Sequence, residues 1–121
     1  MNNIQIAGVL GGMAVILGAF GAHGLESILE SNGRTETFET AVKYHFYHSL
    51  AILAVGIWLR FEQQNKLLQR AGVLFTIGIL IFSGTLYILS LTGITWLGAI
   101  TPIGGIFFII GWVFLIIAGK K

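Results

Sequence analysis

The chain has 121 residues, of which 55% are hydrophobic and only 10% are charged, and its mean hydropathy is +0.87. A soluble domain typically carries about 25% charged residues, so this composition excludes an ordinary soluble protein. Cysteine is absent, which excludes disulfides and thiolate sites. The net charge of +2 is dispersed between apolar runs, and without a basic face we expect no nucleic-acid partner.

Four long apolar segments follow one another along the chain. They are approximately Ile4–Ala22, Thr40–Leu59, Ala71–Leu91 and Ile94–Ala118. Each is close to or longer than the ~20 residues with which a helix crosses a hydrocarbon core of ~30 Å. Only helices and closed barrels satisfy the backbone in lipid, and these segments do not alternate as barrel strands do. The sequence therefore predicts an all-α integral membrane protein, a four-transmembrane-helix bundle that forms one domain over residues 1–121.

The first segment has the length of a signal peptide, but residues 1–3 lack the positive charge of one, so we expect a retained helix. Its small residues include the pair Gly8-x-x-x-Gly12, which is typical of close helix packing in membranes. The fourth segment has a similar stripe with Gly104 and Gly111. We expect these two stripes to pack against each other.

The connection after the first segment contains apolar residues at helical spacing, namely Leu25, Ile28 and Leu29. This spacing predicts a short amphipathic helix on the outer membrane surface. The pair at residues 32–33, Asn-Gly, is a typical helix end. The next helix is expected to run over residues 36–59.

Pro102 is the one proline of the chain and lies inside the fourth segment. It removes a backbone hydrogen bond and predicts a kink or break there. We expect a neighbouring hydroxyl group, such as that of Thr101, to satisfy the freed carbonyl group.

The basic residues predict the orientation. Most of them fall in the connection after the second segment and at the end of the chain: Arg60, Lys66, Arg70, Lys120 and Lys121. The positive-inside rule then places both ends of the chain in the cytoplasm, an N-in/C-in topology. Trp58 and Trp112 are expected at the inner interface, where amphipathic rings are favoured.

Polar side chains concentrate in what should be the outer half of the bundle. The segment YHFYHS at residues 44–49 contributes two histidines that share one helix face. The candidate ligand-binding cluster is His23, Tyr44, His45, His48, Ser83, Thr85 and Thr101. Polar groups at membrane depth are costly and are expected to face inward and to pair.

Three interpretations of this cluster remain open. Its members either tie the helices together, or form a pocket for a ligand or proton, or, with three histidines, hold zinc. The last is least favoured, because no His-x-x-x-His pair or carboxylate completes a metal pattern. We therefore predict no metal, no cofactor and no catalytic residue.

Several motifs occur in an unusual combination. They are Gly18-Ala19-Phe20-Gly21-Ala22-His23-Gly24-Leu25, Tyr44-His45-Phe46-Tyr47-His48-Ser49, Phe82-Ser83-Gly84-Thr85-Leu86-Tyr87 and Ile100-Thr101-Pro102-Ile103-Gly104-Gly105. With these motifs in this order, the chain resembles the domain-of-unknown-function family 423. The resemblance implies a small multi-pass protein of the bacterial inner (plasma) membrane, with eukaryotic transmembrane relatives, and implies no activity.

Two functional hypotheses follow. The first is a structural or interaction role in the lipid bilayer, with the protein acting as a homo-oligomer. The alternative is the binding or transport of a small solute, proton or lipid through a polar pocket in the outer half of the bundle. An enzyme is not expected, because no nucleophile, base and acid form a complete set.

Overall fold

The computed structural model describes residues 1–120, and Lys121, counted in the charge argument, lies outside the described residues. Within them the chain is helical and has no strand. The elements are α1 (Asn3–His23), α2 (Glu26–Ser31), α3 (Thr35–Phe61), α4 (Lys66–Gly78), a π-helical turn (Ile79–Ser83), α5 (Gly84–Thr92), a 3-10 helix (Thr95–Ala99) and α6 (Thr101–Ala118). The all-α prediction is confirmed.

The helix α1 begins with reciprocal capping. The Asn2 side chain accepts a hydrogen bond from the Gln5 backbone at 2.9 Å, and the Gln5 side chain accepts one from the Asn2 backbone at 3.0 Å. This pairing satisfies two backbone donors that a helix start leaves free. The bounds of α1 agree with the predicted first segment to within one residue at each end.

The short helix predicted after α1 is α2. Its Leu29 is buried, whereas Ile28 is exposed. Gly33 follows with φ of +64°, the left-handed conformation that ends helices. The Asn32 side chain donates to the Ser90 carbonyl group at 3.0 Å, which fixes this end of α2 to α5.

Three helical stretches in residues 1–120 are long and apolar enough to cross a membrane. They are Asn3–His23, Lys66–Thr92 and Thr95–Ala118. At most 33% of the apolar window of each is buried inside the protein, so most of this apolar surface faces outward. The fourth long helix, α3, carries the YHFYHS segment and Lys43 and is not in this set.

The four long stretches form a bundle with two distinct ends. At one end the start of α1, residues 1–3, adjoins Arg60 and Gln69 around a cleft of about 590 Å³, and Gly119 contacts the Trp58 ring. At the opposite end α2 meets α5. The start of α1, the end of α6 and the connection between α3 and α4 therefore lie together.

The helix α3 is at the centre of the bundle and packs against α1 on one side and against α4, the π-helical turn and α5 on the other. Ile52, Val55, Leu68 and Phe75 are fully buried in the core between these helices.

The predicted packing of α1 against α6 was wrong, because α1 packs on α3 and α6 packs on α4. The glycines of α6 are used in that second contact. A Cβ at Gly104 would lie 2.4 Å from the Phe82 nitrogen, and one at Gly111 would lie 2.6 Å from the Phe75 ring. Glycine here allows the backbone of α6 to approach its neighbour closely.

The break predicted at Pro102 is confirmed. The 3-10 helix ends at Ala99, and Pro102 occupies the first turn of α6, where the missing N–H group is not needed. The Thr101 hydroxyl group donates to the Leu97 carbonyl group at 3.2 Å. This carbonyl group also accepts from the Ile100 N–H group at 3.0 Å, and it is not the i−4 carbonyl group of Pro102, so the expected compensation by Thr101 is not seen.

Candidate functional site

His48 lies midway along α3, and its side chain faces the interior of the protein. It is the fourteenth of the 27 residues of α3, and its side chain is 5% exposed. Its Nδ1 atom is 2.8 Å from the Tyr44 carbonyl oxygen, and its Nε2 atom accepts a hydrogen bond from Trp112 Nε1 at 3.1 Å.

These two partners determine the tautomer of His48. A tryptophan ring N–H can only donate, so His48 Nε2 must be the unprotonated nitrogen. A carbonyl oxygen can only accept, so Nδ1 must carry the proton. Both nitrogens of this neutral ring are therefore paired within the protein, and one of these hydrogen bonds joins α3 to α6.

Aromatic rings enclose the His48 imidazole. The Phe108 ring stacks on it, with centroids 3.6 Å apart and an interplanar angle of 9°. The Phe75 ring lies at 5.6 Å in a tilted arrangement. The imidazole is thus held by packing on its faces and by hydrogen bonds at its edge.

Trp112 is a residue whose role the sequence analysis missed. Its ring is 44% exposed, and its Nε1 group reaches inward to the His48 ring, so Trp112 contributes to the same site. Phe108 and Trp112 are four residues apart and lie on one face of α6. This spacing in the sequence could have indicated that the two aromatic side chains contact the same polar residue.

His45 forms the second histidine contact. Its side chain is 2% exposed, and its Nδ1 atom lies 2.7 Å from the Tyr87 hydroxyl oxygen of α5. The Nε2 atom is buried and meets no hydrogen-bond partner of good geometry among residues 1–120, although the backbone of Leu10 on α1 faces this ring. His45 is therefore only partly satisfied.

The hydroxyl groups form two further ties between helices. Ser83 donates to the Ala41 carbonyl group at 2.7 Å and joins the π-helical turn to α3. The hydroxyl oxygens of Thr85 and Thr101 are 2.7 Å apart and join α5 to α6. Ser83 and Thr101 are buried.

The other two candidate residues do not contribute side chains to these ties. His23 is exposed at the end of α1. The Tyr44 ring is partly exposed and contacts Phe82, with centroids 4.9 Å apart, whereas its backbone carbonyl accepts the bond from His48. The predicted single cluster is instead a set of separate pairs.

The three histidines do not converge. Among residues 1–120, no group of three His, Cys, Asp or Glu side chains is placed to hold a metal ion. The main clefts of the molecule are lined by other residues and do not reach His45 or His48. Chemically, the observed arrangement crosslinks α3 to α5, to α6 and to the π-helical turn.

The family of the chain follows from comparison with known proteins. The family model described as "Protein of unknown function (DUF423)" matches residues 17–105. The chain belongs to the DUF423 family. The resemblance stated from the motifs is thereby confirmed. The matched region includes all seven candidate residues and ends before Phe108 and Trp112.

Relatives of this DUF423 chain match over most of its length. A UPF0382 membrane protein of Staphylococcus aureus strain bovine RF122 is 50% identical over 109 residues, which are 90% of this chain and 87% of the relative. The UPF0382 membrane protein YwdK of Bacillus subtilis strain 168 is 45% identical over 90% of this chain and 88% of its own length. No solved structure matches significantly.

Proposed function

We propose that this DUF423 protein is a four-span protein of the bacterial cell membrane that acts through structural contacts, as a homo-oligomer, and not as an enzyme. The observation that carries this proposal is the pairing of both His48 ring nitrogens within the protein. A ring whose nitrogens are both engaged is not available to a ligand, a proton or a reacting group without loss of a helix contact.

The membrane placement of α3 is supported by its packing on α1. Gly21 of α1 approaches Phe38 near one end of this contact, and Ile4 approaches Gly56 near the other. The two helices thus lie side by side over the length of α1, which is one of the candidate spans. If α1 crosses the membrane, α3 crosses it too, with its polar residues turned toward other helices.

The N-in/C-in orientation is supported by charge. Arg60, Lys66 and Arg70 lie at the end of the bundle that also holds the start of α1 and the end of α6. Glutamates predominate at the other end. The positive-inside rule places the basic end in the cytoplasm. Relatives from Staphylococcus and Bacillus are named membrane proteins, which supports a bacterial membrane location.

Self-association is supported by glycines that the protomer does not use. Gly104 and Gly111 already pack closely against neighbouring elements of the same protomer, whereas a Cβ built at Gly8 or Gly12 meets no atom within 4 Å. Both of these α1 residues are exposed. A Gly-x-x-x-Gly face that is free in the protomer permits close contact with the helix of a second copy.

Native mass spectrometry of the detergent-released protein tests this function. We expect one defined oligomer, disruption by Gly12→Ile, and no disruption by Ala54→Ile, which enlarges an exposed small residue on α3. We also expect no small molecule whose retention depends on His48. A monomeric wild-type protein, or a bound molecule that His48→Ala releases, would contradict the proposal.

Single-cysteine labelling tests the topology. The natural chain has no cysteine, so one introduced at residue 33 or residue 64 is labelled alone. We expect an impermeant maleimide added to intact cells to label position 33 and to leave position 64 unlabelled. Labelling of both positions from outside would show that α3 does not cross the membrane.

A second candidate function is supported by His45. Its buried Nε2 atom lacks a hydrogen-bond partner of good geometry within residues 1–120, and such atoms are uncommon in interiors. A water molecule, proton or small ligand at this atom would make the pair of His45 and Tyr87 a binding site. A molecule or tightly bound water lost in His45→Phe but kept in His48→Ala would favour this candidate.

A further inference from the structure

A groove runs along the seam between α1 and α3 on the outside of the bundle. Three neighbouring clefts form it, with volumes of about 210, 280 and 230 Å³. The first two share Gly18, Val42 and Lys43, and the last two share Phe46. The groove is therefore continuous from Lys43 to Leu53, which lines its other end.

The groove has an apolar floor and walls. Small residues of α1, among them Gly11 and Ala14, form one side, and the larger residues Phe46 and Leu50 of α3 form the other. Ten residues separate Lys43 from Leu53, which is ~15 Å along a helix. The clefts continue past these residues, to Gly21 at one end and to Ile4 at the other, so the groove runs along most of α1.

Charged groups occur at one end of the groove only. Lys43 lines two of the three clefts, and Glu39 and Thr35 line the outermost one. Among residues 1–120 the Lys43 ammonium group has neither an ion-pair nor a hydrogen-bond partner, although Glu39 is one turn away. The Tyr47 hydroxyl group, in the same cleft as Lys43, has no hydrogen-bond partner either.

The position of Lys43 along α3 brings its charge close to the lipid headgroups. Lys43 adjoins Gly18 of α1, which is five residues, or ~7.5 Å, from the end of α1 at His23. Its long side chain can carry the ammonium group outward to the level of lipid phosphates. A cation near the hydrocarbon boundary is expected to find an anionic partner there.

We propose that this groove binds one phospholipid with an amine-bearing headgroup, of the phosphatidylethanolamine type. One acyl chain lies along the α1–α3 seam, the phosphate accepts a hydrogen bond from Lys43, and the headgroup ammonium pairs with Glu39. This inference rests on the membrane placement of α3 proposed above.

The order of Lys43 and Glu39 along α3 favours an aminophospholipid headgroup over a phosphatidylglycerol headgroup. Lys43 is deeper in the bilayer than Glu39, and in an aminophospholipid the phosphate is likewise deeper than the amine. A phosphatidylglycerol headgroup has no cation to offer Glu39 and would bring two negative groups together. Gly8, which belongs to the face proposed for self-association, lines only the cleft farthest from Lys43, so a second copy there would border the groove without covering its Lys43 end.

The test is native mass spectrometry of the full-length protein released from vesicles of phosphatidylethanolamine and phosphatidylglycerol in equal amounts. We expect one retained phospholipid, mostly phosphatidylethanolamine. Lys43→Gln should reduce the retained fraction about fivefold, the effect of one lysine at an anionic lipid surface. Lys66→Gln, which removes a cation at the other end of the bundle, should leave it unchanged.

Two more variants separate the parts of the site. Gly11→Leu extends a side chain into the groove from a position where a Cβ meets only ordinary contacts of 3.8 and 3.9 Å, so it should release the lipid while the protein stays folded by circular dichroism. Glu39→Gln should keep the lipid but lose the preference for phosphatidylethanolamine.

The inference is overturned if Lys43→Gln and Lys66→Gln retain lipid equally, if phosphatidylglycerol is preferred, or if a lipid-free dimer covers the groove. Cysteine labelling at positions 33 and 64 distinguishes the two proposals. If positions 33 and 64 are labelled from opposite sides of the membrane but lipid retention does not depend on Lys43, the lipid site alone is refuted. If both positions are labelled from the same side, the placement of α3 is refuted as well.

Discussion

Gly104→Ala is expected to destabilise the bundle, because α6 touches the backbone of the π-helical turn at this residue. An added Cβ would lie 2.4 Å from the Phe82 nitrogen and 2.8 Å from its Cα atom. Neither atom belongs to a side chain that can rotate away. Ordinary contact begins at 3.4 Å, so α6 would have to shift by about 1 Å, and the packing of neighbouring rings would shift with it.

The adjacent Gly105 supplies a matched control. A Cβ there would be 3.9 and 4.0 Å from carbons of the Phe82 ring, which is ordinary contact. Both substitutions gain the same helix propensity of up to ~1 kcal/mol, and that gain cancels when the two variants are compared. The remaining difference is the cost of overpacking at Gly104, about 1–3 kcal/mol.

Equilibrium unfolding in mixed micelles measures this difference, with circular dichroism and tryptophan fluorescence as independent signals. We expect Gly104→Ala to have a free energy of unfolding about 1–3 kcal/mol below that of Gly105→Ala. If the free energies of unfolding of the two variants agree within the ~0.5 kcal/mol uncertainty of such comparisons, the close approach of α6 to the π-helical turn is refuted.

Three further predictions concern single contacts. Ser83→Ala removes the hydrogen bond to the Ala41 carbonyl group and should lower the free energy of unfolding by about 0.5–1.5 kcal/mol in the same assay. A double-mutant cycle of Thr85→Val and Thr101→Val should give a coupling free energy of about 0.6 kcal/mol, and up to ~1.7, because the two hydroxyls bond each other. Gly93→Ala should lower the free energy of unfolding by about 1–2 kcal/mol, because its φ of +76° suits glycine.

Controls for these variants lie close by in the chain. Thr92→Ala removes an exposed hydroxyl whose hydrogen bonds are local, to the Ile88 carbonyl group and from the Ile94 N–H group, and should change stability little. Gly24→Ala changes a glycine with φ of −93°. The Ser83 contact would be contradicted by a Ser83→Ala variant as stable as Thr92→Ala. The Thr85–Thr101 contact would be contradicted if the free-energy changes of the two threonine variants simply added. The account of Gly93 would be contradicted by a Gly93→Ala variant as stable as Gly24→Ala.

The helix positions were predictable from the sequence because they depend on local properties. Apolar length set the extents of α1 and α6, and Pro102 marked the break before α6 because it cannot donate a backbone hydrogen bond. The turn at Gly33 followed from the tolerance of glycine for positive φ. Each of these signals acts within a few residues of its effect.

The partners of the helices were not predictable in the same way. Small residues at Gly104 and Gly111 indicate that α6 can approach a neighbour, but their spacing does not say which neighbour has rings to fill the space. The neighbour is α4, with Phe75, and not α1. The contact of Trp112 with His48 was not predicted for a related reason, since a tryptophan satisfies its N–H group equally well at an interface or against a buried acceptor.

The polar residues were correctly expected to need partners, but their grouping depended on which helices face them. His48 meets Trp112 of α6, whereas His45 meets Tyr87 of α5. His23 remained apart because α1 ends with this side chain exposed. The sequence therefore identified residues that require pairing without specifying the pairs.

The tautomer of His48 tests the central claim most directly, since the claim is that this ring is a paired structural contact. Nitrogen NMR of the protein with labelled histidine, assigned by comparison with His48→Phe, distinguishes a protonated from an unprotonated ring nitrogen. We predict a neutral ring with the proton on Nδ1 and with an Nε2 signal that shifts in Trp112→Phe. A proton on Nε2, or a signal that Trp112→Phe leaves unchanged, would contradict the hydrogen bond between α3 and α6 and with it the structural role of the site.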